Sequence, residues 1–367
     1  MSASLLDGLR SGRTGRKALG YRAAVSEIVT EPDDITAEWL SAVLDRSVTG
    51  VVRRTRIGTG QMSRNYRVEF ETADGSAAPS AVVIKIPTDD PTLRAMAGGS
   101  YSREVGFYAR LADRVDCARP VCLHHEISAE GNDFVLVLSD LAPATQGAQI
   151  AGCSIDDAHR AIENLAGLHA PVWNDASLHE VDVLSFSDLD LLGTVYRMAH
   201  DQFVERYGDR LAPTTGDALL PLRDGLIAWL TAPSDPFSLV HGDYRLDNLL
   251  FSETSVAAVD WQTVAVGPPA RDVAYFVGNG ITTDERRRHE DELLLGYLDA
   301  LGARGITDYD LDRLRTDYAR GAWLGAYTTV LGAFAAARTD RGDDMFVVMA
   351  DRAAAQILDH ESVGHLP

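Results

Sequence analysis

The 367-residue chain is 46% hydrophobic and 24% charged, an ordinary globular balance and enough sequence for two lobes with separate cores. Its net charge of −20 sets up long-range repulsion of polyanions, so no nucleic-acid partner is expected. No apolar stretch reaches bilayer length, and no signal-peptide pattern opens the chain. The three cysteines (Cys117, Cys122, Cys153) form no CxxC pair, so no membrane partner and a cytoplasmic location are expected.

In chain order, residues 1–30 read as an N-terminal arm. An amphipathic helix follows, with Asp34 as its N-cap. Period-two hydrophobicity then predicts strands over Val51–Ile57, Asn65–Thr72 and Ala81–Ile86, a helix over Ser100–Leu111, and strands over Val121–Ser128 and Phe134–Leu138. Beyond Pro143 the helical period dominates. It predicts helices at Asp156–Ala170, Asp188–Tyr207, Ala218–Leu230, Glu285–Leu301, Asp310–Ala337 and Asp344–Leu358. Short strands at Ser238–His241, Asn248–Phe251 and Val256–Asp260 interrupt them. The expected architecture is α+β and bilobal: an antiparallel-sheet lobe over 31–140, then a larger helical lobe over 141–367, hinged at Leu138–Pro143.

The chemistry concentrates in Val240-His-Gly-Asp-Tyr-Arg-Leu-Asp-Asn-Leu-Leu-Phe251 and Val256-Ala-Ala-Val-Asp-Trp-Gln262. Phosphoryl transfer needs a carboxylate on the acceptor hydroxyl, oxygen ligands for magnesium and cations on the phosphates. Asp243 fits the base, and Asn248 and Asp260 fit the ligands of a hard cation. Lys85 sits in an apolar strand, where an ammonium needs an anionic partner. The chain has two lysines against thirty-two arginines, so a lysine there suggests that a point charge is required. Glu104, on the following helix, is the partner expected. Gly58 and Gly60 allow close backbone approach to phosphate, and Ser63 offers a hydroxyl to it. Residues 137–141 form the hinge that should meet a nucleobase, represented by Ser139 and Leu141.

These segments resemble the aminoglycoside phosphotransferase and choline kinase superfamily, whose catalytic loop reads His-Gly-Asp. The Asp260-Trp-Gln run and Gly267-Pro-Pro-Ala-Arg-Asp-Val-Ala-Tyr-Phe276 resemble its ecdysteroid-kinase-like branch and bacterial relatives most closely. The resemblance implies a protein-kinase-like fold, ATP and Mg2+ as cofactors, and a small hydroxylated substrate. It also implies that Asp272 ties down the loop and that Arg245 steadies the transferred phosphate, with a surface arginine as the alternative. His241 is expected to hold the loop backbone, His169 to pack or cap, and Asp247 to be solvated.

A protein kinase does not fit: only eleven residues separate Asp260 from Asp272, too few for a long activation segment. A non-catalytic nucleotide-binding module is the other alternative, although Lys85, Asp243, Asn248 and Asp260 are all present. Trp261, Tyr275, Trp323 and Tyr327 are candidates to line the acceptor pocket. An acidic loop at Asp340, Asp343 and Asp344 would suit an amine, whereas the apolar run Gly321–Ala337 would suit a hydrophobic alcohol. Both readings stay open.

Overall fold

The computed structural model describes residues 28–58, 60, 62–73, 80–184 and 188–366. Most of the expected N-terminal arm lies outside the described residues. Helix α1 (Ala37–Leu44) begins at Thr36, whose hydroxyl accepts the Trp39 amide at 3.2 Å. The cap is Thr36 rather than Asp34, because Pro32 directs Pro32–Asp34 into a 3-10 turn of its own.

Strands β1 (Val48–Ile57), β2 (Ser63–Thr72), β3 (Ser80–Pro87), β4 (Cys122–Ile127) and β5 (Phe134–Ser139) form one antiparallel sheet in the order β1-β2-β3-β5-β4. Alternation assigns its faces. Val82, Ile84 and Ile86 pack with Val135, Val137, Trp39 and Leu40 beneath α1. Lys85, one residue out of phase, therefore faces the opposite side, towards the large lobe. Strand β5 lies inside the sheet between β3 and β4 and is buried on both faces, which explains its unbroken apolar run Phe134–Leu138.

Helix α2 (Pro91–Gly106) covers the second face. Asp90 caps it by accepting the Thr92 and Leu93 amides, and it passes into a π-helical turn over Phe107–Leu111. It starts nine residues before the Ser100 expected from the periodicity. Gly98 reads as a breaker, yet it gives the β4–β5 turn room to approach: a Cβ there would meet the Asn132 side-chain oxygen at 3.0 Å.

The large lobe begins with the two-residue strand β6 (Thr145–Gln146), then α3 (Ile155–His169), α4 (Leu189–Tyr207) and α5 (Thr215–Thr231). Strands β7 (Ser238–Val240), β8 (Leu249–Phe251), β9 (Val256–Ala258) and β10 (Ala265–Gly267) form two small sheets, β10-β7 and β6-β8-β9. These strands frame the loop 241–248. Helices α6 (Ala270–Gly280), α7 (Thr283–Gly302), α8 (Leu311–Gly321), α9 (Trp323–Ala335) and α10 (Asp340–Asp359) complete the chain.

Two departures from the sequence reading have plain causes. The single helix expected over Asp310–Ala337 is two, α8 and α9. The chain turns at Ala322 beside Gly321, where a Cβ would lie 2.7 Å from the Ala270 carbonyl of α6. The expected acidic loop at Asp340–Asp344 is the start of α10, capped by Thr339. Its carboxylates are already paired: Asp343 with Arg206, Arg338 and the Tyr207 hydroxyl, and Asp344 with Arg210 at 2.6 Å. Among the described residues no helix is long and apolar enough to cross a membrane.

Candidate active site

The cleft between the lobes is bridged by one ammonium group. Lys85 Nζ lies 2.6 Å from Glu104 of α2 and 2.8 Å from Asp260 of the large lobe, and its side chain is 5% exposed. Burial alone would drive its pKa down. The charges of Asp260 and Glu104 outweigh that and raise it, so the ammonium stays charged. The two carboxylates respond differently. Burial pushes Glu104 up against the pull of Lys85, whereas at Asp260 the lysine overcomes burial and holds the carboxylate below its ordinary range.

Asp260 adopts the left-handed conformation, φ 67°, which ends β9 and turns its side chain into the cleft. Trp261 then inserts between the lobes. Its ring stacks on Phe107 of the π-helical turn at 3.8 Å and meets His241 at 4.6 Å.

The loop after β7 is held from below. Asp272, fully buried on α6, accepts the His241 amide at 2.6 Å and the Gly242 amide at 3.0 Å. His169 approaches the same carboxylate at 3.4 Å while its other ring nitrogen meets the Tyr297 hydroxyl at 2.7 Å. Gly242 has φ +77°, and a Cβ there would lie 2.6 Å from the Thr263 carbonyl. Only glycine fits this turn. His241 shares in fixing the loop: its Nε2 lies 3.1 Å from the Val259 carbonyl, and its Nδ1 accepts the Asp243 amide at 3.3 Å.

Asp243 therefore stands on a rigid loop, and its carboxylate takes three donors. The Tyr275 hydroxyl donates to Oδ1 at 2.9 Å, the Asn248 amide donates to Oδ2 at 2.8 Å, and Arg245 Nε lies 3.2 Å away. The Asn248 amide also donates to the Asp243 carbonyl at 2.9 Å. With its NH2 committed to Asp243, Asn248 keeps its carbonyl oxygen as an acceptor. Asp260 gives one oxygen to Lys85 and is 41% exposed, so its carboxylate opens to the cleft. An amide oxygen and a carboxylate, with no thiol or imidazole, fit a hard divalent cation such as Mg2+.

Arg245 lies between two carboxylates, 3.2 Å from Asp243 and 3.2 Å from Asp247. Burial opposes its charge, but Asp243, Tyr275 and Asp247 together raise its pKa. Asp247 is not the solvated carboxylate expected from sequence. It is buried and accepts from Arg341 of α10 at 2.9 Å and from the Gln149 amide at 3.4 Å. Both partners come from about a hundred residues away in the chain, which hides them from any local pattern.

On the nucleotide side, Ile57, Asn65, Lys85 and Leu136 form one row across β1, β2, β3 and β5. The glycine turn leaves the sheet at the end of that row. Gly58 has φ +73°, Gly60 is exposed, and Ser63 opens β2 in a buried position opposite Pro87. At the hinge, Ser139 differs from expectation: its amide donates to the Val121 carbonyl and its hydroxyl accepts the Val121 amide, both at 2.9 Å. It is fastened to the strand edge by Val121, the residue before β4. The Leu141 carbonyl accepts the Ala144 amide at 3.0 Å, and the Leu141 amide has no donor role to any described residue.

The aromatic residues expected around the acceptor sort differently. Trp261 and Trp323 are fully buried in the core, the latter donating to the Ser362 carbonyl at 3.1 Å. Tyr327 is half-buried between Tyr196 and Trp229. Tyr275 is also fully buried, but its hydroxyl reaches Asp243 from behind.

An antiparallel-sheet lobe with a lysine–glutamate pair, set over a helical lobe carrying the Asp243–Asn248 loop and Asp260, defines a kinase-like phosphotransferase. The chain belongs to the phosphotransferase enzyme family APH, whose model matches residues 53–321. Solved structures of similar fold include a protein from Ralstonia eutropha JMP134 assigned as an aminoglycoside phosphotransferase. It is 17% identical, covers 88% of this chain and 97% of its own, and has a TM-score of 0.51. The GDP complex of wild-type aminoglycoside 2'-phosphotransferase-IIIa is 15% identical, over 86% and 96% of the chains, with a TM-score of 0.52. A microcompartment-associated aminopropanol kinase is 13% identical, over 90% and 98%, with a TM-score of 0.50. Among curated proteins, mouse acyl-CoA dehydrogenase family member 10 is 40% identical over 62 residues, 15% of this chain and 6% of that protein. Chicken acyl-CoA dehydrogenase family member 11 is 35% identical over 74 residues, 19% and 10%. The matched region thus spans a tenth or less of those two proteins. The ecdysteroid-kinase-like branch is not represented among these relatives.

Proposed function

We propose that the chain transfers the terminal phosphoryl group of a nucleoside triphosphate, ATP in the first instance, to a hydroxyl of a small molecule. One observation carries the reading: Lys85 bridges Glu104 and Asp260 across the lobes, beside a loop that presents Asp243 bonded to Asn248. In this reading Lys85 meets the phosphates, and Gly58, Gly60 and Ser63 border them. Asp243 orients the acceptor hydroxyl and takes its proton as the new O–P bond forms. The bond from the terminal phosphorus to the bridging oxygen breaks, and the nucleoside diphosphate leaves. Arg245, held beside Asp243 at 3.2 Å, steadies the phosphoryl oxygens in this reading. Asn248 and Asp260 would hold Mg2+, which when bound offsets the negative charge of the phosphates.

The acceptor panel that tests this covers aminoglycosides, choline-like amines, macrolides and sterols. Hydroxyacyl thioesters join it because the curated matches are named for the acyl-CoA dehydrogenase family. ATP and GTP are compared as donors, since the wild-type aminoglycoside 2'-phosphotransferase-IIIa structure is a GDP complex. The expected result is nucleotide-dependent phosphorylation of at least one alcohol. Phosphorylation of protein alone, or nucleotide binding with no transfer to any alcohol, would overturn the reading.

A further inference from the structure

The Tyr275 hydroxyl is the least anticipated group in the site. It lies at zero exposure, so solvent does not compete for it, and it donates to Asp243 Oδ1 at 2.9 Å. The phenol is held on several sides. Its ring carbon Cδ2 lies 3.8 Å from where a Cβ on Gly325 of α9 would sit, and the Thr328 hydroxyl of the same helix lies beside it while donating to the Leu324 carbonyl at 2.8 Å. Burial and the nearby Asp243 charge push its pKa well above that of an ordinary phenol, so the proton stays on the oxygen as a permanent donor. Tyr275 also lies on the same helix as Asp272, which grips the backbone of the loop. One helix therefore fixes both the loop backbone at His241 and Gly242, just before the reacting residue, and that residue's carboxylate.

We infer that Tyr275 is a positioning residue for phosphoryl transfer, acting through Asp243. The inference rests on the proposed function. The carboxylate would otherwise be free to turn about its Cβ–Cγ bond, because Asn248 holds only Oδ2 and Arg245 Nε lies 3.2 Å from both oxygens and favours neither. With Tyr275 on Oδ1 and Asn248 on Oδ2, the plane of the carboxylate is set before an acceptor arrives, and its remaining lone pairs point in one direction. The same bond ties that plane to α9 through Gly325 and Thr328. Packing changes in α9 therefore reach the reacting carboxylate without passing through the nucleotide.

The test uses the full chain and Tyr275→Phe, which keeps the ring and removes only the donor, with Thr328→Val as a milder second variant. Nucleoside diphosphate release is measured with water as acceptor and with any alcohol found by the panel. Nucleotide affinity is measured separately with a fluorescent ATP analogue. Loss of a hydrogen bond to a charged group predicts a kcat about ten- to a hundredfold lower in Tyr275→Phe. Nucleotide affinity and the nucleotide KM should stay within about twofold, because the affected contact is on the acceptor side. In an Asp243→Asn background the second substitution should cost almost nothing further, since its route is gone. A crystal structure of Tyr275→Phe should show the Asp243 carboxylate rotated or in two positions. Unchanged kcat with an unmoved carboxylate, or equal further loss in the Asp243→Asn background, would overturn the inference. Wild-type turnover in Asp243→Asn itself would instead overturn the proposed function.

Discussion

Replacing Lys85 by methionine removes the one cation between two carboxylates and keeps most of the side-chain volume. The cost follows from how differently the carboxylates are exposed: Glu104 is 1% exposed and Asp260 is 41% exposed. Asp260 can turn to water and lose little, whereas Glu104 is left as a sealed, unpaired charge. Breaking a buried pair in this way costs about 3–5 kcal/mol when the orphan stays ionised. Glu104 has one escape, which is to bind a proton, and burial already pushes its pKa upward even with Lys85 present. In Lys85→Met the folded state therefore holds a proton that the unfolded state has released above its value of about 4.3. Stability then falls as pH rises, by at most about 1.4 kcal/mol per unit, until Glu104 ionises in the folded state.

The wild type shares this loss to a smaller degree, because Lys85 draws the Glu104 pKa back down against burial. Its Lys85 pKa is raised, so the stabilisation it provides is complete below the ordinary lysine value and is lost only as pH climbs through the higher folded one. The gap between the two proteins should accordingly be smallest near about pH 5 and widen towards about pH 8. Urea unfolding followed by tryptophan fluorescence at several pH values measures it. The double variant Lys85→Met/Glu104→Gln should recover much of the loss and flatten its pH dependence. A gap that is the same at every pH, or no recovery in the double variant, would refute the reasoning.

Further outcomes follow from the same geometry. Gly242→Ala should lose at least about 1–2 kcal/mol from the left-handed backbone alone, with further loss from the 2.6 Å approach to the Thr263 carbonyl; thermal unfolding and nucleotide turnover report both. Asp272→Ala orphans two buried backbone amides, each worth roughly 1–3 kcal/mol, and should lower the unfolding midpoint well before it affects nucleotide affinity. Chelating divalent cations should stop turnover and leave the far-ultraviolet circular dichroism spectrum unchanged, with Mg2+ restoring activity. Recovery by Zn2+ better than by Mg2+ would argue against the oxygen ligands assigned at Asn248 and Asp260.

Much of this site was legible in the sequence because its logic is local. Strand alternation alone turns Lys85 away from Ile84 and Ile86. The spacing from Asp243 to Asn248 lies within one loop, and Asp260 follows directly from a short apolar strand. The fold was legible for the same reason, with the helices α3, α4 and α7 found to within a few residues. What stayed hidden depends on distant partners. Helix α6 is buried at every position except Arg271, so its polar residues Asp272 and Asn279 meet protein rather than solvent and mark no exposed face. The state of Asp247 is set by Arg341 and Gln149, and that of Asp343 and Asp344 by arginines on or just after α4. Tyr275 reads as an aromatic like any other until α6 is seen to run beneath the loop. Ser139 looks free at a hinge because a sequence does not show that Val121 pairs with it through both its amide and its hydroxyl.

The proposed transfer turns on Asp243, and single-turnover kinetics of Asp243→Asn with saturating nucleotide and an accepted alcohol reads its role without the product-release step. The expected result is a rate of transfer about a hundred- to ten-thousandfold lower, with nucleotide affinity within about twofold of wild type. Transfer at the wild-type rate in Asp243→Asn would mean that Asp243 is not the base.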